Sequence, residues 1–216
     1  IGRSGLEKYL WSKAVFCQIY IICKIKKRWN EFMKLELKNS MQKSVITGVM
    51  AALLAVLSLI SIPLPIGVPI TLQTFGVALC GFMLGPALGT AAVGVYLAMG
   101  AVGIPVFAGF SSGFGSFLGV TGGFLWGFLP MAFLCGLGIW LGKKLYVVPL
   151  GLLGLAVCHL FGAAQYAMLS ATPFWQALLA VSVPFLVKDA ISVIMAYLMA
   201  LAIIVSLKKA GFGGEA

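Results

Sequence analysis

The chain has 216 residues, 62% of them hydrophobic and only 9% charged, with a formal net charge of +10 and a mean hydropathy of +1.10. Soluble domains carry about 25% charge, so an ordinary globular domain, a disordered chain and a nucleic-acid-binding fold are excluded. The basic excess is also unevenly placed: residues 1–43 hold ten of the fifteen Lys and Arg, and residues 44–142 hold no charge.

Residues 1–40 read as a basic extension ahead of the membrane domain, which occupies 41–216. Their apolar stretch 14–23 is too short to cross a bilayer, and Lys24, Lys26, Lys27 and Arg28 follow it at once. No small-residue cleavage site follows either, so it is not read as a secretory signal. The extension reads as a segment outside the working protein, with Met33 or Met41 as a natural start that leaves a short basic tail; a basic segment lying on an anionic leaflet is the other reading.

The block 44–207 is long enough for six spans of about 20 residues. Gly, Pro and polar clusters divide it. The first span is expected at 44–61, closed by Ile62-Pro63-Leu64-Pro65. The second runs over 70–84 to Gly85-Pro86, and the third over 87–102 to Gly103-Ile104-Pro105. The fourth, fifth and sixth are placed at 120–141, 146–169 and 184–207. The expected fold is therefore an all-α integral membrane protein with six transmembrane helices. The positive-inside rule then orients it with both termini cytoplasmic. Lys143 and Lys144, and Lys208 and Lys209, fall on the same side as the basic N-terminal flank. The outer loops 62–69, 103–119 and 170–183 contain no Lys or Arg.

Lys188 and Asp189 are the charges that the apolar block has least reason to hold. A charge within a span costs at least about 2.5–3.5 kcal/mol, so such groups pair, face a cavity and serve function. Adjacent helix positions point about 100° apart, so the two need not pair with each other. The outer loops supply the rest of a candidate pocket. Thr71 and Gln73 follow a Pro-rich loop, Phe107, Phe110 and Ser111 lie in a Gly-rich stretch, and Trp175 lies in the third loop. Mostly apolar walls with a few polar groups describe a small-molecule site. His159 reads as a neutral histidine bonded to a neighbouring helix, or as a polar wall of that pocket. One His and no Cys-x-x-Cys pair make a metal site weak.

Ala51 and Ala55 share one face of the first span, at a spacing that lets helices approach closely. No G-x-x-x-x-G-K-[ST] phosphate loop is present, so ATP hydrolysis is not expected of this chain. Paired carboxylates and a Ser/His/Asp set in context are also missing, which favours a binding subunit over an enzyme.

The chain resembles the BioY family, the biotin-specific substrate-binding (S) components of energy-coupling factor (ECF) transporters. The resemblance spans nearly all of 41–207. It rests on Ala51-Ala-Leu-Leu-Ala-Val, Pro69-Ile-Thr-Leu-Gln-Thr, Gly85-Pro86, Gly103-Ile-Pro-Val-Phe-Ala-Gly, Thr121-Gly-Gly-Phe with Gly127, Trp175-Gln-Ala-Leu, and Pro184-Phe185 followed by Asp189. It implies six helices, cytoplasmic termini, and an outward pocket roofed by the first and third outer loops. It also implies a transmembrane coupling subunit and two ATPases as partners, with Ala51 and Ala55 docking on the coupling subunit. No cofactor is then expected in this chain, because ATP is used by the partners.

On this resemblance the ligand is biotin, bound from a cell-membrane protein. Asp189 would accept from the ureido N–H groups, and Thr71, Gln73 or Ser111 would add hydrogen bonds. Phe107, Phe110, Tyr96 and Trp175 would pack on the ring and chain. The family motif commonly reads Pro-Gly-Asp, then Lys three residues after the Asp. Here Val187-Lys188 precede Asp189, and Ser192 takes the Lys position. Lys188 and Ser192 are one helical turn apart on one face, so Lys188 is expected to meet the ligand carboxylate in place of that Lys. The alternatives are an S component for another small carboxylate vitamin or a biotin precursor, an intramembrane enzyme with a His159–Asp189 dyad, and a structural subunit without a pocket.

Overall fold

Inside a bilayer each backbone polar group needs a partner within its own segment, so a long apolar run becomes helix. The computed structural model describes residues 39–62 and 68–210, and the expected extension over the first forty residues lies almost wholly outside them. Within the described residues the order is α1 (Ser40–Leu59), β1 (Ser61–Ile62), β2 (Ile70–Thr71) and α2 (Gln73–Ala101). A 3-10 turn (Ala108–Phe110), α3 (Gly115–Leu118), α4 (Gly122–Trp140), α5 (Lys144–Ser170), α6 (Phe174–Val181) and α7 (Val183–Lys209) follow. Five of these, α1, α2, α4, α5 and α7, are long and apolar enough to cross a membrane.

The expected second and third spans are one helical run, α2, folded back on itself. Gly85 has φ +78° and ψ −175°, in the middle of the run. The positive φ suits glycine, which carries no Cβ to clash, and Pro86 then starts the second arm without needing an N–H partner. The arms 73–84 and 86–101 lie against each other. A Cβ on Gly89 would sit 2.7 Å from the Cys80 carbonyl oxygen. At the far end Tyr96 meets Gln73, 23 positions earlier in sequence. A straight helix would hold those two about 34 Å apart.

Glycine also sets how closely α2, α4 and α5 pack. A Cβ on Gly81 would lie 2.5 Å from the Ala132 oxygen, and one on Gly136 would strike the backbone of Gly85 and Pro86. A Cβ on Gly127 would lie 2.7 Å from the Cys158 Cα. Small residues let backbones touch where no water-driven force pulls helices together. Sequence reading put that device on the first span. There Ala51 and Ala55 are 1% and 8% exposed, packed in the chain's own core. The outward face of α1 is Val45, Gly48, Val49, Ala52 and Val56.

The first outer loop is a small hairpin: β1 pairs antiparallel with β2, Ser61 opposite Thr71 and Ile62 opposite Ile70. The third outer loop contains a helix, α6, where only loop was expected. The second outer loop is pinned to the core. Ser58 on α1 hydrogen-bonds the Val106 carbonyl, and the buried Phe107 ring stacks edge-on with Tyr96 and Phe117 at 5.5 and 5.6 Å. Gly100 leaves the space that the Phe107 ring occupies.

Candidate functional site

Directions of the helices bring the chemistry to one end of the bundle. There α2 begins, α4 and α7 begin, α5 ends, and the second outer loop crosses over. A cavity of about 210 Å³ lies between them. That is several times the share of one water in the liquid, about 30 Å³. Its walls come from the first loop (Val68, Pro69), the second loop (Phe107, Ala108, Ser111, Ser116) and α4 (Phe124, Leu125, Phe128). Among the described residues the third loop supplies Val181, and the second loop supplies four of the lining residues.

The polar wall is continuous. Asp189 is buried at 5% exposure on the first turns of α7. Lys188 Nζ is 2.5 Å from its Oδ1, and His159 Nε2, from α5, is 3.4 Å from its Oδ2. Lys188 also donates to the Thr71 carbonyl oxygen at 2.8 Å, which ties α7 to the first loop. Neighbouring helix positions diverge, and the long Lys stem closes that angle so that both charges line the same cavity. Removing either partner of such a buried pair leaves an uncompensated charge. Ser192 Oγ donates back to the Lys188 carbonyl at 2.9 Å and does not line the cavity.

A second set of bonds approaches from α2. The Gln73 N–H donates to Thr71 Oγ1 at 3.3 Å, and Gln73 Nε2 donates to the Tyr96 hydroxyl at 2.6 Å. Thr71 and Gln73 line the cavity, whereas Tyr96 is fully buried one step behind them. Asp189, Lys188, Thr71, Gln73, Phe107 and Ser111 are therefore brought together.

Phe110 and Trp175 are not among the lining residues. Phe107 bridges to Ser111 across a tight turn with positive φ at Gly109 and Phe110. That turn sends Phe107 in and Phe110 out, 67% exposed. Trp175 sits on α6, stacked on Phe174 and 69% exposed.

Sequence reasoning named His159 as a candidate wall but kept it out of the ligand set. It placed Thr74 beside Thr71 and Gln73 at the polar edge, and it passed over Ser116, Thr121, Phe124 and Phe185; all of these line the cavity too. The blocks Thr121-Gly-Gly-Phe and Pro184-Phe185 stood out in the sequence, but nothing in spacing alone says they face a ligand. The His159–Asp189 proximity that a dyad enzyme requires is present. The two serines on the lining each donate to a carbonyl nearby in the chain, Ser111 Oγ to Ala108 and Ser116 Oγ to Ser112, which leaves their oxygens as acceptors.

Long apolar helices with an ion pair on a cavity wall at one end define a multi-pass membrane protein built to hold a small polar ligand. The BioY family model matches residues 29–209. The chain is 41% identical over 133 residues to a probable biotin transporter BioY of Pyrococcus horikoshii, covering 62% of this chain and 78% of that one. It is 42% identical over 137 residues to a biotin transporter BioY of Rhodobacter capsulatus, covering 62% and 70%. The crystal structure of the S-component for biotin from an ECF-type ABC transporter superposes with a TM-score of 0.69 at 30% identity, over 78% of this chain and 94% of that one. This chain belongs to the BioY family.

Proposed function

We propose that the chain is the biotin-capturing S component of an ECF-type vitamin transporter. The observation that carries this reading is the Lys188–Asp189 pair on the wall of the cavity, in a chain whose relatives are named biotin transporters. Asp189 accepts from the ureido N–H groups, with Thr71, Gln73 and Ser111 as further hydrogen-bonding groups. Phe107, Phe124 and Phe185 cover the apolar parts, and Tyr96 holds Gln73. Lys188 meets the carboxylate. Phe110 and Trp175, exposed and off the lining, are left out of the contact set. A site that must satisfy buried polar groups rejects analogues that leave them unpaired.

In this reading each arm of α2 is counted as a crossing, which makes six, with both termini cytoplasmic. Lys143, Lys144, Lys208 and Lys209 sit at the end of the bundle opposite the cavity, as the positive-inside rule asks. The cavity then opens outward. A transmembrane coupling subunit and two ATPases supply the energy, and this chain needs no cofactor. Docking on α1 uses its outward face around Gly48, Ala52 and Val56, because Ala51 and Ala55 are already buried.

Equilibrium binding of biotin to the purified full chain in detergent tests the reading, with Lys188→Ala alongside. Saturable binding at one per chain is expected, weakened about tenfold or more in the variant. A wild-type protein that ignores biotin but takes another small carboxylate would move the substrate and leave the architecture in place.

A further inference from the structure

The ionisable groups on the described cavity lining are Lys188, Asp189 and His159. With the imidazole neutral, their charges cancel. The remaining part of the first loop, residues 63–67, reads Pro-Leu-Pro-Ile-Gly and holds no ionisable side chain. Among the described residues, an anionic ligand therefore meets a cavity with no spare positive charge. Lys188 already meets Asp189 and the Thr71 carbonyl, so a ligand carboxylate that draws on the same ammonium leaves two anions sharing one cation.

The geometry supplies a replacement. His159 is 4% exposed and approaches Asp189 on the oxygen that Lys188 does not use. Its Nδ1 has no hydrogen-bond partner among the described residues, and the residue lines the cavity. A ring with one nitrogen against a carboxylate and the other without a partner can carry a proton on each nitrogen without giving up a contact it now makes. Other groups near the ring do not compete. From α4 Phe124 meets it edge-on at 5.7 Å, and the titratable residue of α4, Cys135, lies further down α5 near Gly151. No residue of α6 is ionisable. From α2, Thr74 reaches the lining, while Tyr96 is engaged with Gln73. On α5 itself the Cys158 thiol points to the Phe124 carbonyl, and Tyr166 packs in the cluster of Val68 and Phe185.

We propose that binding of the anionic ligand is coupled to uptake of one proton from solvent by His159. The imidazolium takes over Asp189 while Lys188 turns to the ligand carboxylate. The inference rests on the biotin reading above. Nothing covalent changes: one solvent proton moves to Nδ1 or Nε2 and leaves again when the ligand does.

Calorimetric titration of the wild-type chain with biotin, in buffers of different ionisation enthalpy, counts the protons directly and needs no variant. Between about half and one proton per biotin is expected at pH 8, and none with the uncharged biotin amide. The biotin Kd should weaken by up to about tenfold per pH unit above neutrality, while the amide Kd stays flat. His159→Gln should lose the slope, and His159→Asn serves if that variant fails to fold. Biotin binding with no proton uptake and a flat pH profile overturns the inference and leaves the biotin reading standing, as does a slope that persists in a folded His159 variant. A wild-type chain that does not bind biotin overturns both.

Discussion

The glycine-lined seam between α2, α4 and α5 and the cavity end of the same bundle use opposite means. Along the seam, backbones come into contact at glycines: Gly81 faces Ala132, and Gly127 faces Cys158. At the cavity end the helices hold apart, and Lys188, Asp189, His159, Thr71 and Gln73 reach into the space between. Close packing in the seam is what lets the other end carry ionised groups. A rigid scaffold holds a cavity open without help from its polar lining, so those residues are free to serve a ligand. Substitutions in the two regions should therefore fail differently, the first in folding and the second in binding.

The largest effect should come from the seam. Gly136→Val drives a side chain into the backbone of Gly85 and Pro86. A loss of about 4 kcal/mol or more is expected, seen as aggregation or a collapsed melting transition in detergent. If Gly136→Val folds normally and loses only biotin binding, the division of labour fails.

Asp189→Asn should come next, on binding and not on folding. It strips the anion from a buried pair, a change worth about 2–5 kcal/mol, so the biotin Kd should rise about 100-fold with the melting profile retained. Lys188→Ala is milder, because the side chain is part-exposed. Losing one charge-assisted contact predicts a Kd about 10- to 100-fold weaker. Its effect should nearly vanish for the uncharged biotin amide, which isolates the carboxylate contact.

Tyr96→Phe sharpens the comparison, since it keeps the ring in the core and removes only the hydroxyl that meets Gln73. About a fivefold weaker Kd is expected, near 1 kcal/mol, with little change in stability. At the bottom of the scale, Phe110→Ala and Trp175→Ala should change the Kd by less than about twofold. A tenfold loss in either would mean that the exposed loop or α6 folds over the ligand.

Much of the fold was legible. The spans expected at 120–141, 146–169 and 184–207 emerge as α4, α5 and α7 within three residues at either end, because hydropathy and Gly/Pro punctuation act locally. Gly85-Pro86 was read as a break, and it is one. That the two arms pack on each other depends on Gly89 meeting Cys80 and on Gly136 meeting the turn itself, and these contacts are set by partners distant in sequence. Ala51 and Ala55 were read as a packing face, and both are buried in the chain's own core; spacing gives such a face and does not say which surface it meets.

The site divides along the same line. Lys188 and Asp189 announce themselves, since an apolar block tolerates a charge only for cause, and the sequence by itself determined that this is a membrane protein with ionised groups near one end of its last span. Only the tertiary structure decided that the two charges pair, that His159 from another helix closes on the free oxygen of Asp189, and that Phe107 turns inward while Phe110 turns out. The reason is physical: hydropathy is a property of each segment in its solvent, whereas a cavity exists only between segments, where helix rotation and loop turns choose which side chains meet.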